Sequence, residues 1–211
     1  DSILSNNLGN HVRSRGAVYV EADFRTLRRF SLTLGAREEV YRKFSGQFSP
    51  SVAGGVWLSP QWKLRGGASR AFRIPTYTDL YYSDPANLGN PDLKPETAWN
   101  FEGGADWNRS SGLRASATVF HRRETNGIDY IRATPLERWQ PVNFERLRFT
   151  GVETSLALQP IASQRIDISY TGLYGAQAAL AGLLSKYVFN YPSASAIVSW
   201  RAAWRDLLFR T

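Results

Sequence analysis

The chain has 211 residues and a net charge of +8, with 43% hydrophobic and 13% aromatic residues, and neither cysteine nor methionine. Without cysteine, disulfides and thiolate metal sites are excluded, and no apolar run approaches the roughly 18 residues that a membrane-spanning helix needs. The basic residues recur singly rather than as a tract, which argues against nucleic acid and for solvated cations or attraction to an anionic surface.

The first alternating run is RGAVYVEADFR. Val18, Val20, Ala22 and Phe24 share one face, and Tyr19, Glu21 and Asp23 share the other. A short turn over 25–29 leads to RFSLTLGAREE, where Phe30, Leu32, Leu34 and Ala36 alternate with Ser31, Thr33, Gly35 and Arg37. A longer loop is expected over 41–49, then a strand start in FSPSVAGGVWL and a short turn over 58–62. GGASRAF follows in a strand; it lacks the Lys-Ser or Lys-Thr that would make it a phosphate loop.

Residues 72–96, FRIPTYTDLYYSDPANLGNPDLKPE, break the alternation. Pro75, Pro85, Pro91 and Pro95, with glycine, asparagine and aspartate, predict neither helix nor strand. Phe72, Tyr77, Tyr81 and Tyr82 argue against disorder, and structureless loops beyond about 12–15 residues are mostly functional or disordered. Gly89 and Asn90 suit a turn with positive φ, and Pro91 and Pro95 keep the loop exit out of the hydrogen-bond ladder. Arg73 would end one strand and Glu96 begin the next. The two either pair across the strand tops, or Arg73 faces a ligand or lipopolysaccharide. The three tyrosines offer amphipathic contact to a ligand, or they pack the loop or join an interfacial girdle.

Alternation then resumes. TAWNFEGGADW sets Trp99, Phe101, Gly103, Ala105 and Trp107 against Asn100, Glu102, Gly104 and Asp106. A short turn over 108–112 precedes LRASATVF; a long loop spans 125–140; a short turn over 159–164 precedes RIDISYTGLY. The loop over 175–190 includes AQAALAGLLSK, which reads as a short loop helix, and RAAWRDLLFR reads as a turn into a further strand.

About ten strands result, several far longer than the roughly 5–6 residues usual in globular proteins. Short turns gather at one end and long loops at the other. This predicts an all-β fold: part of an antiparallel transmembrane β-barrel with long outward loops and short periplasmic turns. Glu21, Asp23, Glu102, Asp106, Arg114 and Asp167 would face a wet interior. A two-sheet sandwich would bury the apolar faces instead; strand length and loop asymmetry favour the barrel.

Catalysis has little support. Asp84, Asp92 and Glu96 read as turn and interface charges, and His11 and His121 stand too far apart in sequence to suggest a triad or metal site. Asp79, Asp84 and Asp92 lack the dense spacing of a calcium loop. No cofactor and no enzyme activity are expected.

FRIPTYTDLYY with GNPDLKPE and FEGG, VNFERLRFTGVETSL, KYVFNYPSASAIVSW and FSPSVAGGVWL together resemble the TonB-dependent outer-membrane receptors, above all those for vitamin B12 and siderophores. The resemblance runs over about residues 8–201. It implies a barrel of roughly 22 strands around an N-terminal plug, with residues 1–211 as one partial barrel domain and the plug and terminal strands lying outside it. It makes Pro75, Asn90, Pro91, Leu93, Pro95, Glu96, Gly151 and Glu153 structural motif residues, and Arg73, Tyr77, Tyr81 and Tyr82 candidate ligand contacts. It implies energised uptake of a scarce metal complex, such as a ferric siderophore or cobalamin, across the bacterial outer membrane. The partners implied are outer-membrane lipid and lipopolysaccharide, the metal complex, and the TonB energy-coupling complex through the missing N-terminal region, with no nucleic acid. The alternatives are a passive outer-membrane pore or structural barrel, and a soluble carbohydrate-binding or carbohydrate-cleaving β-protein.

Overall fold

Period-two alternation of apolar and polar side chains, with many aromatic and β-branched residues, fits a pleated surface with two unlike faces. The computed structural model describes residues 2–24, 29–110, 112–144, 146–177, 182–187, 192–205 and 207–210. A small hairpin, β1 (Ser2–Ser5) and β2 (Gly9–Val12), precedes β3 (Arg15–Phe24), β4 (Phe30–Tyr41), β5 (Gln47–Trp57) and β6 (Trp62–Arg73). Helix α1 (Tyr77–Tyr81) interrupts the strands, followed by β7 (Glu96–Ser110) and β8 (Leu113–Thr125). Then come β9 (Gly127–Arg132), β10 (Gln140–Phe144), β11 (Leu147–Ile161), β12 (Gln164–Gln177), β13 (Leu184–Ser185), β14 (Ala194–Trp204) and β15 (Leu207–Arg210).

Ten of these form one open antiparallel sheet in the order β15-β14-β12-β11-β8-β7-β6-β5-β4-β3. The register puts every predicted apolar run on one side: Phe24 opposes Leu32, Leu34 opposes Val52, Val56 opposes Leu64, Ala68 opposes Phe101, and Ile168 opposes Val198. Among the described residues, none covers that face. Val18 is 70% exposed, Val119 59% and Val198 63%. Apolar surface of this extent, unbroken across strands, belongs against lipid rather than water. Trp62 and Trp107 stack at 5.9 Å toward the short turns, and Trp99 and Phe101 at 6.0 Å toward the loops, as interfacial belts do.

The other face is wet, and many of its charges are paired. Arg65 meets Asp106 at 3.3 Å and donates to Thr118 at 2.6 Å; Arg165 and Arg201 share Asp167; Arg15, Arg37 and Tyr41 surround Glu39. Gly151 stands opposite Phe120 on this face, and only glycine fits there because the Phe120 ring and the Gly172 carbonyl occupy the space a Cβ would need. Glu153, two residues on, is exposed beside Thr118 and Thr171.

The two ends differ as predicted. Short links join β5 to β6, β7 to β8, β11 to β12 and β14 to β15; the turn expected over 25–29 and the one over 108–112 lie partly outside the described residues. RAAWRDLLFR does turn into a strand, β15. The expected 41–49 loop is shorter, since β5 begins at Gln47, and the 125–140 loop carries the β9–β10 hairpin. The helix expected over 176–186 is not seen where it is described: Ala176 and Gln177 end β12, and Leu184–Ser185 pairs with β9. Residues 178–181 and the Asn-Tyr of the NYP motif lie outside the described residues.

The largest correction falls within 74–95, where proline and glycine predicted no helix. Tyr77–Tyr81 is helical because Thr76 and Asp79 form a capping box: Thr76 Oγ1 accepts from the Asp79 amide at 3.0 Å, and Asp79 accepts from the Thr76 amide at 2.9 Å. The buried apolar side chains Ile74, Leu80, Leu93, Ala98 and Leu147 all lie at this loop end of the sheet.

Arginine placed at Val119, near the middle of the apolar band, is expected to destabilise the full-length barrel by about 2–4 kcal/mol, and arginine at Leu113 near the short turns by about 0–1 kcal/mol. Urea titration followed by heat-modifiable gel mobility reads the difference; equal losses would mean that this face does not meet lipid.

Candidate functional site

Three loop segments, 74–95, the β9–β10 hairpin and the β13 segment, meet above the strand tops, and carboxylates hold them. Arg73 ends β6 and stands opposite Glu96, the first residue of β7. Its guanidinium pairs with Glu96 and, at 3.2 Å, with Asp79. Of the two readings for Arg73, the cross-strand pair is present. The other Glu96 oxygen accepts from the Ile128 amide of β9.

Asp79 also accepts from the Tyr130 hydroxyl at 3.0 Å. Burial first, and then the Asp79 carboxylate, push that hydroxyl well above the ordinary tyrosine range. Asp129, fully buried, accepts from the amides of Tyr130 at 2.6 Å and Tyr187 at 3.1 Å and from the Ser185 hydroxyl. Loop 74–95 is thus tied to the β9–β10 hairpin, and that hairpin to the β13 segment. Lys186 lies within 6 Å of the rings of Tyr130, Trp139 and Tyr187.

The motif residues finish the clasp. Asn90 donates to the Pro141 carbonyl at 3.1 Å and accepts from the Asp92 amide at 3.0 Å. Neither Gly89 nor Asn90 has the positive φ predicted for them. Gly89 is required for closeness instead: a Cβ there would stand 2.7 Å from the Tyr81 amide nitrogen. Pro75 and Leu93 are buried, Pro95 is half-buried and Pro91 is exposed at the turn. Asp84 organises a separate turn, accepting from the amides of Ala86 and Asn87 at 2.7 and 2.5 Å. Burial opposes its charge, but these bonds and those from the Asn87 and Tyr82 side chains hold its carboxyl below the usual aspartate value. Tyr82 therefore serves this turn and is not among the residues that line the cavity beside α1. The three aspartates considered for calcium do not converge, since Asp79 and Asp84 have separate protein partners.

Tyr77 and Tyr81 face a cavity of about 360 Å³. Its other polar walls are His11, Arg13, Ser14, Arg42 and Lys43, with Phe44 beside them and no carboxylate among its lining residues. His11 stacks on Tyr81 at 3.7 Å and on Tyr77 at 6.0 Å. Arg13 lies over Tyr77 at 4.8 Å and donates to the Pro75 carbonyl at 2.8 Å, while the Lys43 ammonium stands 5.9 Å from the Tyr81 ring. Sequence reasoning set His11 aside as isolated and did not place Arg13, Arg42 or Lys43. They reach the tyrosines only because the β1–β2 hairpin and the β4–β5 loop fold over α1, a contact that no local pattern announces.

Comparison with known proteins follows the same lines. The family described as "TonB dependent receptor-like, beta-barrel" matches residues 2–209. An iron-regulated outer membrane virulence protein of Vibrio cholerae is 30% identical over 98% of this chain and 36% of its own length. The vitamin B12 transporter BtuB of Photobacterium profundum is 26% identical over 55% of this chain and 20% of its own length. The siderophore receptor PirA of Acinetobacter baumannii superposes with a TM-score of 0.76 at 20% identity, over 96% of this chain and 33% of that one. A variant of the Pseudomonas aeruginosa ferric enterobactin receptor, solved with enterobactin, gives 0.77 at 21% identity, over 94% of this chain and 32% of that one. These superpositions speak for the fold. The chain spans 36% of the length of its Vibrio cholerae relative.

Replacing Asp79 by alanine is expected to orphan the Thr76 amide and the Tyr130 hydroxyl, at about 1–3 kcal/mol for each buried donor. Amide exchange over residues 76–82 of the full-length protein should speed up accordingly. Because the Tyr130 hydroxyl titrates above its ordinary value of about 10, its contribution is complete below that pH and fades as pH climbs through the raised value. Tyr130→Phe should remove this alkaline loss of protection; a profile unchanged by Tyr130→Phe would contradict the Asp79–Tyr130 link.

Proposed function

This chain belongs to the TonB-dependent receptor β-barrel family of the bacterial outer membrane, and on that premise we propose that it is the barrel portion of a receptor for energised uptake of an anionic metal chelate. The observation that carries the reading is the cavity at the loop end: cations and aromatic rings together, with no acidic wall. Such a surface suits a ligand with negative charge and flat π-faces, such as an iron chelate. A corrinoid, bulky and close to neutral, has less use for three basic walls. The family is one of transport receptors, and relatives named for iron regulation and for ferric enterobactin point the same way.

In this reading the outward loops capture the chelate, and Tyr77 and Tyr81 stack against its ligand arms. Arg42 and Lys43 neutralise its charge, while Arg13 and His11 hold the rings in place. Arg73 positions α1 through Asp79 rather than reaching into the cavity. Transfer through the barrel would be driven from the inner membrane by an energy-coupling protein that engages a plug outside this chain.

Tyr81→Ala and Lys43→Ala in the full-length receptor are each expected to weaken binding of a ferric catecholate by about 1 kcal/mol, about fivefold apiece and roughly thirtyfold for the pair. Fluorescence quenching against a panel of ferric catecholates and cyanocobalamin measures it. Preference for the corrinoid, or chelate affinity untouched by both changes, would refute this substrate class. Ion conductance in a planar bilayer without energy input would favour a passive pore.

A further inference from the structure

One row of the lipid-facing surface is cationic. Across neighbouring strands, Arg70 stands opposite Trp99, Trp99 opposite Arg123, and Arg123 opposite Arg148. Arg123 shares its face with Leu113, Ala115, Ala117 and Val119, and Arg148 shares its face with Val152 and Leu156. Arg70 is engaged, donating to Gln47 at 3.2 Å and to the Phe48 carbonyl. Arg123 and Arg148 are exposed, and no described residue pairs with either. Like charges directly opposite on one face of a sheet repel. The nearby Glu124 points to the wet face, where it pairs with Arg122. One row closer to the apolar band, His121 and Thr150 are also opposed, and they satisfy each other at 2.8 Å. Among the described residues, Arg123 and Arg148 have no counter-charge.

Depth identifies what supplies it. From Leu113 to Arg123 the strand climbs about 33 Å at about 3.3 Å per residue, or about 25 Å of depth at a tilt of about 40°. That is about the height of the apolar band of an outer-membrane barrel, so the pair stands at the outer edge of the hydrocarbon. Trp99, 40% exposed beside Arg123, fits the same level. We propose that Arg123 and Arg148, with Trp99 beside them, form an outward-facing site for a phosphate group of an outer-leaflet glycolipid. Two guanidinium forks can each give paired N–H donors to phosphate oxygens, and a phosphate between them turns repulsion into attraction. Free phosphate offers the same oxygens but not the acyl chains that would hold it at this depth.

The test is native mass spectrometry of the purified full-length receptor with bisphosphorylated lipid A and with the same lipid dephosphorylated. Wild type should retain the phosphorylated lipid about tenfold better than the dephosphorylated one. Arg123→Ala/Arg148→Ala, verified as folded by heat-modifiable mobility, should lose that preference, and millimolar inorganic phosphate should not displace the lipid. Equal retention of the two lipids by wild type overturns the proposal even if the variant fails to fold. Undiminished preference in the folded variant, or displacement by inorganic phosphate, overturns it as well.

Discussion

Hydrocarbon offers no hydrogen-bond partner, and this single constraint shapes the chain. Every backbone amide and carbonyl at membrane depth must pair with a neighbouring strand. Pairing fixes register, and register fixes which face each side chain takes. Once Leu34 opposes Val52 and Ile168 opposes Val198, the charges of the same strands can go only inward or to the ends. Inward they find partners at once, as Arg65 does in Asp106 and Arg165 in Asp167. The uncovered apolar face needs no second sheet, because lipid takes that place.

The loops escape this rule and must satisfy their backbone in another way. Asp79 and Asp129 do much of it. Each gathers donors from more than one segment, and Asp129 does so fully buried, where a polar group without partners would be costly. The reciprocal bonds between the Asn143 side chain and the backbone of Lys94 add a further tie, at 2.8 and 3.0 Å. A loop built this way is a platform rather than a tether. It fixes α1 against the strand tops and so sets the angle at which Tyr77 and Tyr81 meet the cavity.

The sheet was legible in the sequence because its signal is local and repeated. Val18 to Phe24, Phe30 to Ala36 and Leu113 to Val119 announce their faces residue by residue. The β1–β2 hairpin was not, since its strands SILS and GNHV are too short to show a period. Helix α1 carried a readable sign, the Thr-x-x-Asp of its capping box, but the surrounding prolines outweighed it. Gly89 was singled out for the wrong reason: the chain needs a missing Cβ there, not an unusual φ. The cavity was half legible. Two of its tyrosines stood out, whereas His11 and Lys43 reach them across long stretches of chain, and only tertiary structure brings such residues together.

The excess of positive charge, diffuse in the sequence, acquires places in the fold. On the wet face, cations and carboxylates lie within about 3 Å of one another and cancel. Their field dies within the roughly 8 Å over which physiological salt screens exposed charge. Arg42 and Lys43 at the cavity and Arg123 and Arg148 on the outer face have no carboxylate partner among the described residues. Their field therefore reaches beyond the protein. One pair faces the medium from which a ligand arrives, and the other faces the plane where lipid phosphates lie. In the two proposals, basic side chains meet two different anions, and the sheet that separates the pairs decides which of them each one meets.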